Sequence, residues 1–162
     1  MKKLLSVILS IVVIFCIIPL GEISVGAAAS ENGYTYYAFS GKSYIAYADK
    51  TVTGDVVIPE KLGGYDVAGI YAQSFYARSD FNTLTLPKTL TSIQDYSFMY
   101  VSQLSSVSVD DENPAFTDVD GVLYSKDLTK LILYPPFKKD NKKVSDFMKL
   151  RETEWVVAPV EE

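Results

Sequence analysis

Residues 84–104 read LTLPKTLTSIQDYSFMYVSQL, and residues 56–81 read VVIPEKLGGYDVAGIYAQSFYARSDF; the two superimpose. Ile70 aligns with Ile93, Phe75 with Phe98 and Phe81 with Leu104, each pair 23 residues apart, and Leu84 and Leu86 align with Val107 and Val109 at the same spacing. The pairs Ile58-Pro59 and Leu86-Pro87 are 28 apart, so the first unit carries five extra residues around Gly63-Gly64-Tyr65. A fixed period of this length is the signature of stacked structural repeats. Each unit opens with alternation, as in Leu84-Thr85-Leu86, which places two apolar side chains on one face of a strand and Thr85 on the other. Pro87 ends the pairing. Ile93 and Phe98, five apart, are expected to meet the core across a helical turn. A single unit cannot bury its apolar face, but stacked units can, with each strand pairing to its counterpart one period on.

Around these units the composition sets limits. The chain has 162 residues, 48% hydrophobic, enough for one domain. Its net charge is −5 and its one basic cluster lies in the last 25 residues, which argues against nucleic acid as a partner. There is no histidine, and the one cysteine, Cys16, sits in the leading segment. Ser/His/Asp triads, cysteine nucleophiles and the usual zinc, haem and iron-sulfur sites are therefore not expected. The first residues, Met1-Lys2-Lys3, are positive, 4–20 form a nearly unbroken apolar run, and Ala27-Ala28-Ala29 supply small residues before Ser30. Residues 1–29 thus read as a secretory signal peptide. A membrane anchor is the alternative, since the run approaches the lower limit for a span. Helix-breaking Pro19 and Gly21 and the Ala-rich exit favour cleavage, hence no stable membrane insertion afterwards. Cys16, inside the apolar run behind Phe15, is a poor lipidation site.

The pattern I-x-x-x-[AS]-F-x-x-x-x-x-[LF]-x-x-[LV]-x-[LV], preceded by [IL]-P, resembles the BspA-like leucine-rich repeat of bacterial secreted and surface proteins. Other segments agree: 33–59 resembles the hairpin that opens such domains, Gly63-Gly64-Tyr65-Asp66-Val67 its first-repeat loop, and Asn113-Pro114-Ala115-Phe116 through Tyr134-Pro135 the hairpin insert between repeats. The resemblance spans about 33–137. It implies a short β-rich leucine-rich-repeat solenoid of about two full coils with flanking β-hairpins: an opening hairpin at 34–47, coils over 56–104, a third strand at 107–109 and a hairpin at Asp120-Gly121. The domain would occupy 30–137. Residues 138–162, with four lysines in the first six positions, carry no repeat signature and read as a charged tail, a truncation product or an altered frame. Two departures stand out: Arg78 and Val101 replace a small residue three places after the repeat Phe, and Tyr71 and Gln94 replace a glycine. Arg78 is expected to snorkel outward beside Asp80.

Several constellations invite chemistry. Asp118-Val119-Asp120-Gly121 with Ser125 and Asp127 resembles a calcium loop, but position 5 is Val122 and position 12 is Thr129, so a hairpin turn is the better reading. Asp110-Asp111-Glu112, with Asp118 and Asp120, could serve as acid/base carboxylates, yet a solvated turn accounts for them. No cofactor and no metal is expected. Relatives by resemblance act in adhesion at surfaces, so the expected function is a secreted, non-catalytic module binding an extracellular protein or glycan; the alternatives are an accessory domain of a polysaccharide-acting enzyme and an inert fragment of a larger surface protein. Two surfaces are candidates. The first is a strand ladder formed by the rows Asp55, Thr83, Ser106 and Val57, Thr85, Ser108. The second is a turn row of Tyr71, Tyr76, Tyr96 and Tyr100, less favoured if packing between coils consumes the rings.

Overall fold

In a computed structural model, residues 27–138 are described. The leader read at 1–29 and the tail at 138–162 lie outside these residues, apart from 27–29 and Lys138. Twelve strands follow in chain order and, among the described residues, no helix. They are β1 (Ala29–Glu31), β2 (Tyr34–Phe39), β3 (Lys42–Ala48), β4 (Gly54–Val57), β5 (Lys61–Leu62), β6 (Tyr65–Ile70), β7 (Phe81–Leu86), β8 (Ser92–Ile93), β9 (Ser106–Val109), β10 (Phe116–Val119), β11 (Val122–Ser125) and β12 (Leu131–Leu133).

The sequence period becomes two parallel ladders. In one, β4, β7 and β9 lie side by side, with Val56 opposite Leu84 and Leu84 opposite Val107. In the other, β3 pairs with β6 and β6 with β8, with Ile45 opposite Ile70 and Ile70 opposite Ile93. Each ladder buries an apolar row, with Ile45, Val56, Ile58, Ile70, Leu84, Leu86, Val107 and Val109 buried, while Val57 faces solvent. Between them runs an aromatic column. Phe75 stacks on Phe98 at 5.0 Å, and Phe81 and Tyr34 meet Phe75 edge-on at 5.9 and 6.4 Å. The five-residue insertion forms the β5–β6 hairpin, turning at Gly63 and Gly64, both with positive φ.

The coil corners differ from expectation. Residues 95–100 form turns rather than a helical turn. Gln73, Ala77, Tyr96 and Tyr100 all have positive φ, near 55–63°, and the two pairs are again one period apart. A left-handed residue at every fourth position reverses the chain where a helix would continue it. The corner is held instead by bonds between coils, as Phe75 N–H donates to Ser97 O and Ala77 N–H to Met99 O, at 2.9 and 2.8 Å. The buried serines repeat the scheme: Ser74 Oγ donates to Ile45 O, and Ser97 Oγ to Tyr71 O, each 3.0 Å.

Antiparallel hairpins flank both ends. The β2–β3 hairpin covers the first coil and lays Tyr34 and Tyr36 into the core. After the second coil, buried Asn113 donates through Nδ2 to Pro87 O and Leu90 O, and its Oδ1 accepts from Ala115 N–H and Phe116 N–H. It thereby fixes the start of the β10–β11–β12 sheet. Asp120 and Gly121, with φ of 51° and 79°, make the two-residue turn between β10 and β11.

Candidate functional site

The β4–β7–β9 ladder sets Asp55 opposite Thr83 and Thr83 opposite Ser106, and Val57 opposite Thr85 and Thr85 opposite Ser108. These six residues share the face away from the core. Asp55, Val57 and Ser108 are exposed, Thr83, Thr85 and Ser106 half-buried. Part of this polarity is consumed within the row, since Thr83 Oγ1 donates to Asp55 Oδ1 at 2.8 Å. The row also ends at a wall. Val107 N–H donates to Gly121 O, and the Gly121 α-carbon sits against Ser106.

The four turn tyrosines do not form one row. Tyr76 and Tyr100 meet edge to face at 5.5 Å and remain 47% and 63% exposed at the coil corner. Tyr96, 68% exposed, stands apart beside an open hollow of about 570 Å³ between β8 and β12, floored by Ile93, Phe98, Phe116 and Leu133. Tyr71 belongs elsewhere: it stacks on Tyr44 at 5.9 Å and leans on Tyr37 at 6.2 Å. The split has a local cause. Tyr71 directly follows β6 and stays with the sheet, whereas Tyr76, Tyr96 and Tyr100 lie in the left-handed corners. The partnership of Tyr37 and Tyr44 was open to sequence reasoning, because alternation about Tyr36 and Ile45 puts both on the outward face of one hairpin.

Arg78 corrects a second expectation. Its guanidinium turns inward, not out. Only 10% of the side chain is exposed; Nη1 donates to Ala48 O and Asp49 O, both at 2.8 Å, and Nη2 donates to Val52 O at 2.5 Å. Asp80 pairs with Nε at 2.8 Å, and that hydrogen bond holds the Asp80 carboxyl below the usual range. The planar fork closes the 48–52 loop onto the first coil. Nothing in the spacing of Arg78 signals this, because its acceptors are backbone carbonyls some 26–30 residues away.

Four of the carboxylates noted in the sequence, Asp110, Glu112, Asp118 and Asp127, have structural partners. Asp118 Oδ1 accepts from Val109 N–H at 2.8 Å, Asp110 Oδ1 from Glu112 N–H at 2.9 Å, and Glu112 pairs with Lys88 at 2.7 Å. Asp127 is held below the usual carboxylate range, first by Ser125 Oγ–H and then by Thr129. Among the described residues no three His, Cys, Asp or Glu side chains converge as a metal site.

No family model and no curated protein matches the chain. Among solved structures it is similar to a leucine-rich repeat protein from Eubacterium ventriosum, at 29% identity and TM-score 0.45, over 54% of this chain and 22% of that one. It is also similar to a leucine-rich cell surface protein from Faecalibacterium prausnitzii, at 21% identity and TM-score 0.46, over 54% and 24%. A third similarity, to the pneumococcal vaccine antigen PcpA, has 17% identity and TM-score 0.41, over 72% and 58%. The chain thus spans less than two thirds of each of these proteins. It is strand-rich and similar to leucine-rich repeat proteins.

Proposed function

We propose that the chain is a secreted, non-catalytic surface module: a short solenoid of the BspA-like leucine-rich-repeat kind that binds an extracellular protein or glycan at its coil corner. The observation that carries this reading is the Tyr76–Tyr100 pair. Two rings braced edge to face, yet 47% and 63% exposed, are pre-ordered contact area with two phenol hydroxyls at the rim. The leader at 1–29 supports export. Asp110, Glu112, Asp118 and Asp127, engaged in turns, a backbone bond and an ion pair, support a reading without catalysis.

The strand ladder is the second reading, favoured by the register of Asp55, Thr83, Ser106 and Val57, Thr85, Ser108. Its side chains are small and partly bonded to one another, so each contact would be weak and affinity would depend on clustering. A binding screen of clustered protein against extracellular matrix proteins and glycans tests both readings. Tyr76→Ala and Tyr100→Asn, the latter chosen because asparagine tolerates the left-handed backbone, should each weaken binding about tenfold, as expected for loss of an aromatic anchor. Thr85→Arg should leave it unchanged. Binding that survives both corner variants and disappears in Thr85→Arg moves the site to the ladder.

A further inference from the structure

Two rows of side chains cross the outer face of the sheet that joins β2, β3, β6, β5 and β8. In the first, Phe39 is opposite Lys42, Lys42 opposite Asp66, and Asp66 opposite Lys61. In the second, Tyr37 is opposite Tyr44, Tyr44 opposite Gly69, and Gly69 opposite Ser92. On β2 and β3 the rows are two residues apart, about 6.5–7 Å along the strands.

The aromatic row is built into the sheet. Tyr44 lies over Gly69, where any β-carbon would come within 2.6 Å of its ring. Tyr71 stacks on Tyr44 with planes 18° apart, and Tyr37 leans on Tyr71 at 6.2 Å. Each ring restricts its neighbour, so a ligand meeting them orders little. Tyr37 and Phe39 nonetheless keep 39% and 53% of their surface in solvent. In the adjoining row, Lys42 and Lys61 both reach Asp66, at 3.1 and 2.7 Å. Their hydrogen bonds, that of Lys61 first, hold the Asp66 carboxyl below the usual range. The cluster therefore carries one net positive charge on a chain of net charge −5. Each ammonium spends one of its three donors on Asp66 and has two more to offer.

Exposed aromatic surface at Tyr37 and Phe39, edged by a positively charged row, asks for a ligand that is flat and apolar on one face and anionic at one edge. We propose that this face binds an acidic glycan, with the CH face of a pyranose on Tyr37 and Phe39 and its carboxylate on Lys42 and Lys61. The site is separate from the coil corner, and the two can fail independently.

Calorimetric titration with tri-galacturonate, its methyl ester and an acidic peptide tests the assignment. Tri-galacturonate should bind saturably, and the ester about tenfold more weakly, corresponding to a lost charge-assisted hydrogen bond. The Lys42→Gln, Lys61→Gln double variant should lose a similar factor. Tyr37→Ala and Phe39→Ala, both at exposed positions and checked for folding by circular dichroism, should each lose about tenfold. Lys88→Gln, which removes a charge outside this sheet, should change nothing. The proposal is overturned if no saturable binding occurs, if ester and acid bind equally, or if the peptide binds in preference to the sugar. It is equally overturned if binding depends on Tyr76 rather than on Tyr37, which would place the sugar at the corner.

Discussion

At the scale of single residues, Arg78 is the clearest case of function in folding. Its five donors serve three carbonyls and one carboxylate, and truncation would leave the Ala48, Asp49 and Val52 carbonyls short of a partner. Arg78→Ala should cost about 2–4 kcal/mol in urea titration, and Arg78→Lys should recover less than half of that, because a single ammonium cannot reproduce the fork. The pairing with Asp80 also sets an acid limit. With its carboxyl held low, Asp80 contributes stability above the ordinary carboxylate range of about pH 4, lost as pH falls through its folded value. Tyr34 sets an alkaline limit. Burial pushes its phenol up to about 12, against the opposing charge of Arg78, so the folded state holds its proton after the unfolded state has released it. Its contribution is complete below pH ~10 and declines between there and about 12. Tyr34→Phe should flatten that decline in stability measured from pH 9 to 12; an unchanged slope would remove Tyr34 as its source. The sequence placed Arg78 beside Asp80 correctly through their separation of two residues, but gave no clue to the inward turn, which depends on a loop folded back from 48–52.

At the scale of elements, strands were readable and corners were not. Alternation in Leu84-Thr85-Leu86 and the turn chemistry of Asp120-Gly121 follow from side-chain period and from the tolerance of Asp and Gly for positive φ. Tyr96 and Tyr100 are different: bulky residues seldom adopt the left-handed backbone, so nothing in their identity marks a turn, and a helical turn was the natural expectation. The inter-coil bonds of the corner hold them there. The hairpin after the second coil makes a test of element packing. Gly121 has φ of 79°, and an added β-carbon would strike Ser106 Oγ. Gly121→Ala should therefore destabilise by about 1–3 kcal/mol, combining backbone strain with crowding. Gly121→Ala combined with Ser106→Gly should relieve the crowding share alone. Full recovery in the double variant would mean that the positive φ costs nothing.

At the scale of the whole molecule, the 23-residue period was visible in the sequence and carries much of the core, because it aligns Ile70 with Ile93 in one ladder and Leu84 with Val107 in the other, with Ile45 and Val56 joining the same rows at the longer spacings of the first unit. The candidate surfaces were only partly visible. Register of the ladder rows follows from the period, whereas the division of the tyrosines into a corner pair, a lone Tyr96 and a sheet-face cluster depends on which rings sit in the left-handed corners and which, like Tyr71, stay with the sheet. A single aromatic column joins the coils through Phe75 and Phe98, stacked at 5.0 Å although 23 residues apart in sequence. That contact exists only if the coils stack in this register. A double-mutant cycle on Phe75→Leu and Phe98→Leu, read by urea unfolding, measures it directly. Stacking in register predicts a coupling of about 0.5–1.5 kcal/mol between the two sites; effects that add to within about 0.3 kcal/mol would contradict the in-register packing of the two repeats.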